Sequence, residues 1–299
     1  MEEKMSDQQP VSAKNYLGLE EEYSNLKKAK VAMIQVPYDK TATYLKGTRM
    51  GPSAIIEASK KLELFDDELN QETYRIGIHT AEPLAVEESA PEEMVEKVYS
   101  ATLELLKVNK FPALLGGEHS LSPGAVRALK EVYPNISVLH LDAHYDLQDE
   151  YYGSKNNHGC AARRMSEICP ISQVGVRSMS KKEKDFLASQ TPGRINTMSV
   201  YDILETPMWK DKVTRSLTEN VYVSIDLDVF DPAVMPGVGT PEPGGLGWYE
   251  TIDLLKDVSK DRKIVGFDVV ELCPIKGQVA SDFFAAKLIY RLLGYIFSA

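Results

Sequence analysis

Short apolar runs at residues 31–36, 111–115, 138–141, 174–176, 221–227 and 264–269 alternate with longer stretches of helical character. The helical stretches fall at 52–59, 91–109, 122–132, 160–168, 181–189, 249–260 and 281–297. A strand buried on both faces reads as a nearly continuous apolar run, and joining parallel strands requires a crossover, usually a helix. The alternation therefore restricts the chain to the α/β class, with a parallel sheet covered by helices on both sides. No internal repeat, low-complexity linker or shift in composition interrupts the chain beyond the start, so residues 29–299 read as one domain. Residues 1–28 are polar and charged, and Pro10 argues against one long opening helix. We expect a tail or surface extension there, with no chemistry.

In open α/β sheets, functional groups gather beyond the carboxyl ends of the strands. His119 follows the run at 111–115, within Gly116-Gly117-Glu118-His119-Ser120. Asp142, His144 and Asp146 follow the run at 138–141, and two-residue spacing in extended chain projects them to one side. Asp226 and Asp228 close the run at 221–227, and Glu271 lies just past the run at 264–269. A lone Asp or His at a strand end is ordinarily a turn or capping residue. Here that explanation would have to be invoked for all six aspartates and histidines at the same rim, so we read a metal site instead. Four carboxylates and two imidazoles without a thiolate suit a hard divalent ion such as manganese better than structural zinc. Two ions would balance four aspartates, which without metal would repel one another and raise their pKa values.

The formal charge of −10 argues against a nucleic-acid partner, which needs a basic face, and weakly favours a cationic small substrate. Cys160, Cys169 and Cys273 form no CxxC pair and no disulfide framework, which points to a reduced, cytoplasmic protein. No apolar run approaches membrane-spanning length, and the N-terminus has no secretory pattern, so no membrane partner is expected.

Three motifs, taken together, resemble those of the ureohydrolases, the arginase and agmatinase enzymes. They are Gly116-Gly117-Glu118-His119-Ser120, Asp142-Ala143-His144-Tyr145-Asp146, and Ser224-Ile225-Asp226-Leu227-Asp228 with Asp231-Pro232, Pro236-Gly237 and Gly244-Gly245. The resemblance implies a three-layer α/β/α sandwich around a mainly parallel eight-stranded sheet, with two manganese ions per subunit. It implies that His119 and Asp146 bind one ion, that His144 and Asp228 bind the other, and that Asp142 and Asp226 bridge both. Glu118 departs from the Asp of many members, at a position that is not a ligand. Self-association to a trimer or hexamer is also expected from the resemblance alone.

The implied reaction is hydrolysis of a guanidine to urea and an amine. A guanidinium is a poor electrophile with a basic leaving group, and two divalent ions would make hydroxide available near neutral pH. The resemblance makes Asp146 the proton carrier to the departing amine, His158 a proton shuttle and Glu271 the carboxylate that holds the guanidinium. Imidazole suits a shuttle because its pKa lies near working pH, and a carboxylate accepts paired hydrogen bonds from a planar cation. Tyr151 and Tyr152 are candidates to line the aliphatic part of the substrate. His140 should be a hydrogen-bonded neighbour of the ligands, His79 structural, and Cys160 and Cys273 buried small residues. Ser154 and Asn156 lie where arginases bind the substrate α-carboxylate, so Asn156 is a candidate substrate contact. Against arginine, Ser180 replaces an aspartate that senses the α-amino group, and Glu242 in its loop is typical of agmatinases. The sequence is therefore read as that of an agmatinase, converting agmatine and water to putrescine and urea. Arginine, guanidinobutyrate and aminopropylagmatine are the alternative substrates, and a metal-binding pseudoenzyme that regulates or scaffolds a partner is the alternative of another class.

Overall fold

The computed structural model describes residues 14–298. Eight strands form one sheet: β1 Val31–Val36, β2 Ile78–Thr80, β3 Phe111–Gly116, β4 Ile136–Leu141, β5 Ile171–Val174, β6 Ile195–Met198, β7 Asn220–Asp226 and β8 Lys263–Val270. Their order is β2-β1-β3-β8-β7-β4-β5-β6, and every pairing between neighbours is parallel. The helices are α1 Glu21–Ser24, α2 Gly51–Ser59, α3 Pro91–Lys107, α4 Ser122–Val132, α5 Ala161–Ile168, α6 Lys181–Ala188, α7 Val200–Glu205, α8 Trp209–Ser216, α9 Trp248–Asp261 and α10 Ala280–Phe297.

The strand residues sort onto two faces by alternation. Leu139, Leu141, Val223, Ile225, Phe267 and Val269 pack with Ile55 of α2, Leu255 of α9 and Leu288 of α10. Val138, Tyr222 and Val265 face the opposite way, onto Val98 of α3, Leu129 of α4 and Met165 of α5. Helices thus cover both sides of the sheet, giving the three-layer α/β/α sandwich. Burying each large apolar side chain contributes about 1.5–3 kcal/mol, so the two cores together fix the register of the central strands. Proline at the first turn starts α2, α3 and α4, where its missing N–H leaves no intrahelical bond unmade.

Several elements differ from the sequence expectation. Strands β2 and β6 and helices α7 and α8 were not anticipated. They are three to eight residues long, and β6 is half-buried throughout, too short or too mixed to show a period. β5 lies at Ile171–Val174, so Gly175 and Val176 fall in the loop beyond it. Within the stretch expected to be a tail or surface extension, Tyr16 is fully buried and its hydroxyl donates to Ala286 O at 2.7 Å. Leu17 and Leu19 join the same core. Pro10 lies outside the described residues.

Candidate metal centre

The four central strands β3, β4, β7 and β8 all end at one rim, and each delivers acids or imidazoles there. His119 follows β3, and Asp142, His144 and Asp146 follow β4. Asp226 ends β7 with Asp228 just beyond it, and Glu271 follows β8. The expected alternation along β4 is replaced by a loop: the strand stops at Leu141, and Asp146 has φ 50°. Glu271 is also left-handed, with φ 66°. Such backbone costs a non-glycine residue about 1–3 kcal/mol and is concentrated at functional sites.

The side chains converge. His119 Nδ1 lies 3.2 Å from Asp142 Oδ2, 3.2 Å from Asp226 Oδ2 and 3.5 Å from Asp146 Oδ2. His144 Nδ1 lies 2.8 Å from Asp228 Oδ2 and 3.6 Å from Asp142 Oδ1. The two oxygens of Asp142 therefore face two different centres. Asp226 presents Oδ2 to the first centre, while its Oδ1 accepts the Asp228 N–H at 2.9 Å. His119 Nδ1 and Asp142 Oδ2 are fully buried and make no hydrogen bond, although they face each other. Leaving such atoms without a partner costs about 1–3 kcal/mol each, so the donor set fits a cation placed between them.

Below this cluster runs a buried polar row in register across four adjacent strands. Gln173 on β5 pairs with His140 on β4, His140 with Ser224 on β7, and Ser224 with Asp268 on β8. Gln173 Nε2 donates to Tyr145 O at 2.8 Å and lies 3.3 Å from His140 Nδ1. With Nδ1 accepting, the His140 proton sits on Nε2, which points at Asp142 Oδ2 from 3.1 Å. Ser224 Oγ lies 2.8 Å from His119 Nε2 and donates to Asp268 Oδ1 at 2.8 Å. Tyr222 OH holds the other Asp268 oxygen at 2.6 Å. His140 is thus a hydrogen-bonded neighbour of the cluster, stacked on His119 with ring centroids 4.9 Å apart. His79, on β2, bonds to Ser24 O.

A cleft of about 240 Å³ opens onto the cluster, lined by Thr43, His144, Asp146, Tyr151, His158 and Glu183 among others. His158 Nε2 lies 3.2 Å from Thr43 Oγ1. Glu183 is buried and accepts the N–H groups of Leu147 and Ser180 and the Gln148 amide. No cationic side chain among the described residues is in ion-pair range of it. Glu271 lies deeper, with Oε1 accepting the His119 N–H at 2.7 Å and Oε2 beside Gly239. Glu242 Oε1 is 3.9 Å from His144 Nε2. Asn156 turns away from the cleft and donates to Glu92 Oε1 at 3.2 Å. Tyr152 is 80% exposed and also lies outside that lining. Cys160 is buried, and its thiol is pushed up to about 11 by burial; Cys273 is half-buried.

The electrostatics follow from packing so many charges in one place. Burial raises the carboxyls of Asp146, Asp226 and Glu271 well above the usual range, and neighbouring acids push the same way. Burial acts upward on Asp142 too, but His140, His119 and His144 outweigh it and hold that carboxyl low. Burial opposes protonation of His119 and His144, yet the surrounding aspartates win and raise both. His158 is different: burial and the charges of His144 and His119 lower it to about 4, so it is neutral at pH 7.

The sequence model of the arginase family matches residues 29–294. The chain belongs to the arginase family. It is 37% identical over 275 residues to the N(1)-aminopropylagmatine ureohydrolase of Synechocystis sp., covering 89% of each chain. It is 36% identical over 273 residues to the agmatinase of Pyrococcus horikoshii, covering 90% of this chain and 93% of that one. Its fold superposes on the agmatine ureohydrolase of Thermoplasma volcanium with a TM-score of 0.82 and 30% identity, covering 91% and 92% of the two chains.

Three features of this arginase-family site were not read from the sequence. Asp268 and Ser224, which orient His119, had a signal: a carboxylate inside an apolar strand needs a buried partner. Arg177 donates to the carbonyls of Gly175, Asp228, Val229, Phe230, Glu242 and Pro243, tying together the loops around the rim. No local pattern announces that. Glu118 grips Thr41, 77 residues earlier in the chain, which likewise shows only in three dimensions.

Proposed function

We propose that this arginase-family ureohydrolase is a dimanganese enzyme that hydrolyses agmatine to putrescine and urea. The observation that carries the reading is the pair of adjoining centres sharing Asp142, at the floor of a cleft whose lining includes Glu183, an acid with no cationic side chain in ion-pair range among the described residues. Residues 29–299 form its single catalytic domain, into whose core Tyr16, Leu17 and Leu19 also pack. His119 and Asp146 would hold one cation, His144 and Asp228 the other, with Asp142 and Asp226 between them. When bound, two such ions supply Lewis acidity and lower the pKa of water toward neutrality. Oxygen-rich ligation with two imidazoles and no thiolate supports manganese.

The chain's own residues supply the rest. Glu271 accepts hydrogen bonds from the guanidinium through Oε2, its other oxygen being fixed by His119 N–H. Asp146, which lines the cleft, would take up the proton released by the attacking water and pass it to the leaving amine. His158, neutral at pH 7 and lining the cleft, moves protons between that site and solvent. Glu183 and Glu242 present negative charge to the distal ammonium of the substrate. Asn156 is left out of this assignment because it bonds Glu92 instead.

Self-association to a trimer or hexamer is supported by an exposed apolar face containing Val234, Tyr249, Val279 and Phe283. Three free thiols support a reducing, cytoplasmic setting. Among the described residues, no helix is long and apolar enough to cross a membrane. Aminopropylagmatine is a second reading, favoured by the named activity of the Synechocystis relative. Urea release from manganese-loaded protein, measured on agmatine, aminopropylagmatine, arginine and guanidinobutyrate, tests the assignment. Agmatine should give the highest kcat/KM; a preference for arginine would overturn the substrate, and no urea from any guanidine would favour a pseudoenzyme.

A further inference from the structure

Glu118 has no place in the ligand set, yet it is fully buried one residue from it. Its side chain reaches the loop that follows β1. Oε2 accepts the Thr41 N–H at 2.8 Å, and Oε1 accepts the Thr41 hydroxyl at 2.5 Å and the Ser120 hydroxyl at 2.7 Å. With its one hydroxyl proton directed at Glu118, Thr41 Oγ1 has lone pairs left for an incoming donor. That donor is the His158 backbone N–H, at 3.1 Å. Two residues further along the same loop, Thr43 Oγ1 meets the His158 ring at Nε2. The end of β3 is pressed against this loop as well. A Cβ on Gly117 would lie 1.9 Å from Tyr38 O, and the Glu118 N–H donates to that oxygen at 2.8 Å.

We propose that Glu118 is a positioning residue for His158, acting through the Thr41 hydroxyl to fix the imidazole over the cleft. The inference rests on the reading of His158 as the proton carrier. An aspartate at position 118 would be about 1.5 Å shorter, too short to hold Thr41 and Ser120 together from the same backbone position. The longer side chain therefore has a structural reason in this chain, although its position is not a ligand position.

The test compares Thr41→Val, Thr41→Ser and Glu118→Asp in the manganese-loaded full-length protein. Thr41→Val keeps the side-chain shape and removes the hydroxyl. It should keep its metal content and a KM within about twofold while kcat falls about 10- to 100-fold. Thr41→Ser should restore kcat to within about threefold of the parent, and Glu118→Asp should lower kcat with KM held. Hydrogen exchange of the His158 amide should quicken about tenfold in Thr41→Val, a readout that needs no turnover. Parental kcat in Thr41→Val, or a loss of metal in step with kcat, would overturn the proposal. So would failure of Thr41→Ser to rescue. Should Thr41→Val not fold, Glu118→Asp carries the same comparison of kcat against KM. If the unaltered protein released no urea while its His158 amide stayed protected through Thr41, only the guanidine reading would fall.

Discussion

Replacing Ser224 by Ala removes a hydroxyl that bridges His119 Nε2 and Asp268 Oδ1 at 2.8 Å each, in a position with no solvent exposure. Both partners are buried, and the nearest other hydroxyl, Ser122 Oγ, lies 3.4 Å from the one removed. Asp268 keeps only Tyr222, through its other oxygen. Each buried group left without a partner costs about 1–3 kcal/mol, so the metal-free variant should lose about 2–4 kcal/mol after local relaxation. The second consequence concerns the cation. A histidine ligand whose outer nitrogen is no longer held is free to rotate, and losing such a partner typically weakens metal binding about 10- to 100-fold. Urea unfolding of the metal-free protein reads the first effect, and manganese titration against a competing chelator reads the second. A stability change under about 0.5 kcal/mol together with unchanged manganese affinity would refute the claim that the polar row orients His119.

Other consequences follow from the same geometry. His158 should stay neutral down to about pH 4, where burial and the charges of His144 and His119 place its pKa, so ring NMR of the metal-free protein should show no titration near pH 6.5. Because its folded pKa lies below the unfolded value, its share of stability is complete above about pH 6.5 and is lost as pH falls toward 4. A midpoint near 6.5 would contradict this. Protonated forms of His119, His144, Asp146 and Asp226 are favoured in the metal-free cluster, so manganese binding at pH 7 should release at least about one proton per subunit and tighten as pH rises. Calorimetry in buffers of different ionisation enthalpy counts them, and zero release would be the contrary result. Arg177→Met should strip six loop carbonyls of their shared donor and destabilise the fold by about 2–4 kcal/mol in urea unfolding, with a change under about 0.5 refuting that role.

The central strands and most of the flanking helices were legible because each buries a continuous apolar stretch and ends where polar residues begin. β1 and α4 fall on the residues their patterns mark. The edge strands β2 and β6 were not, since three or four half-covered residues carry too little periodicity to separate them from loop. The rim chemistry was legible in composition: acids and imidazoles following apolar runs have no other common cause in such number. Its geometry was not. Simple alternation along β4 would aim Asp142, His144 and Asp146 alike, whereas the left-handed turn at Asp146 does the aiming. Loop contacts over long sequence separations escaped entirely. Asn156 looked like a substrate contact from its spacing to His158, but Glu92 of α3 lies close enough to take its amide. Glu118 looked incidental until Thr41 was seen to be within reach.

Metal analysis of the purified protein after manganese loading, beside Asp142→Ala treated identically, probes the core of this account most directly. Among the described residues, Asp142 alone turns one oxygen to His119 and the other to His144. The account predicts about two manganese ions per subunit in the parent and at most about one in the variant. A parent that binds none, or a variant that retains the full complement, would contradict it.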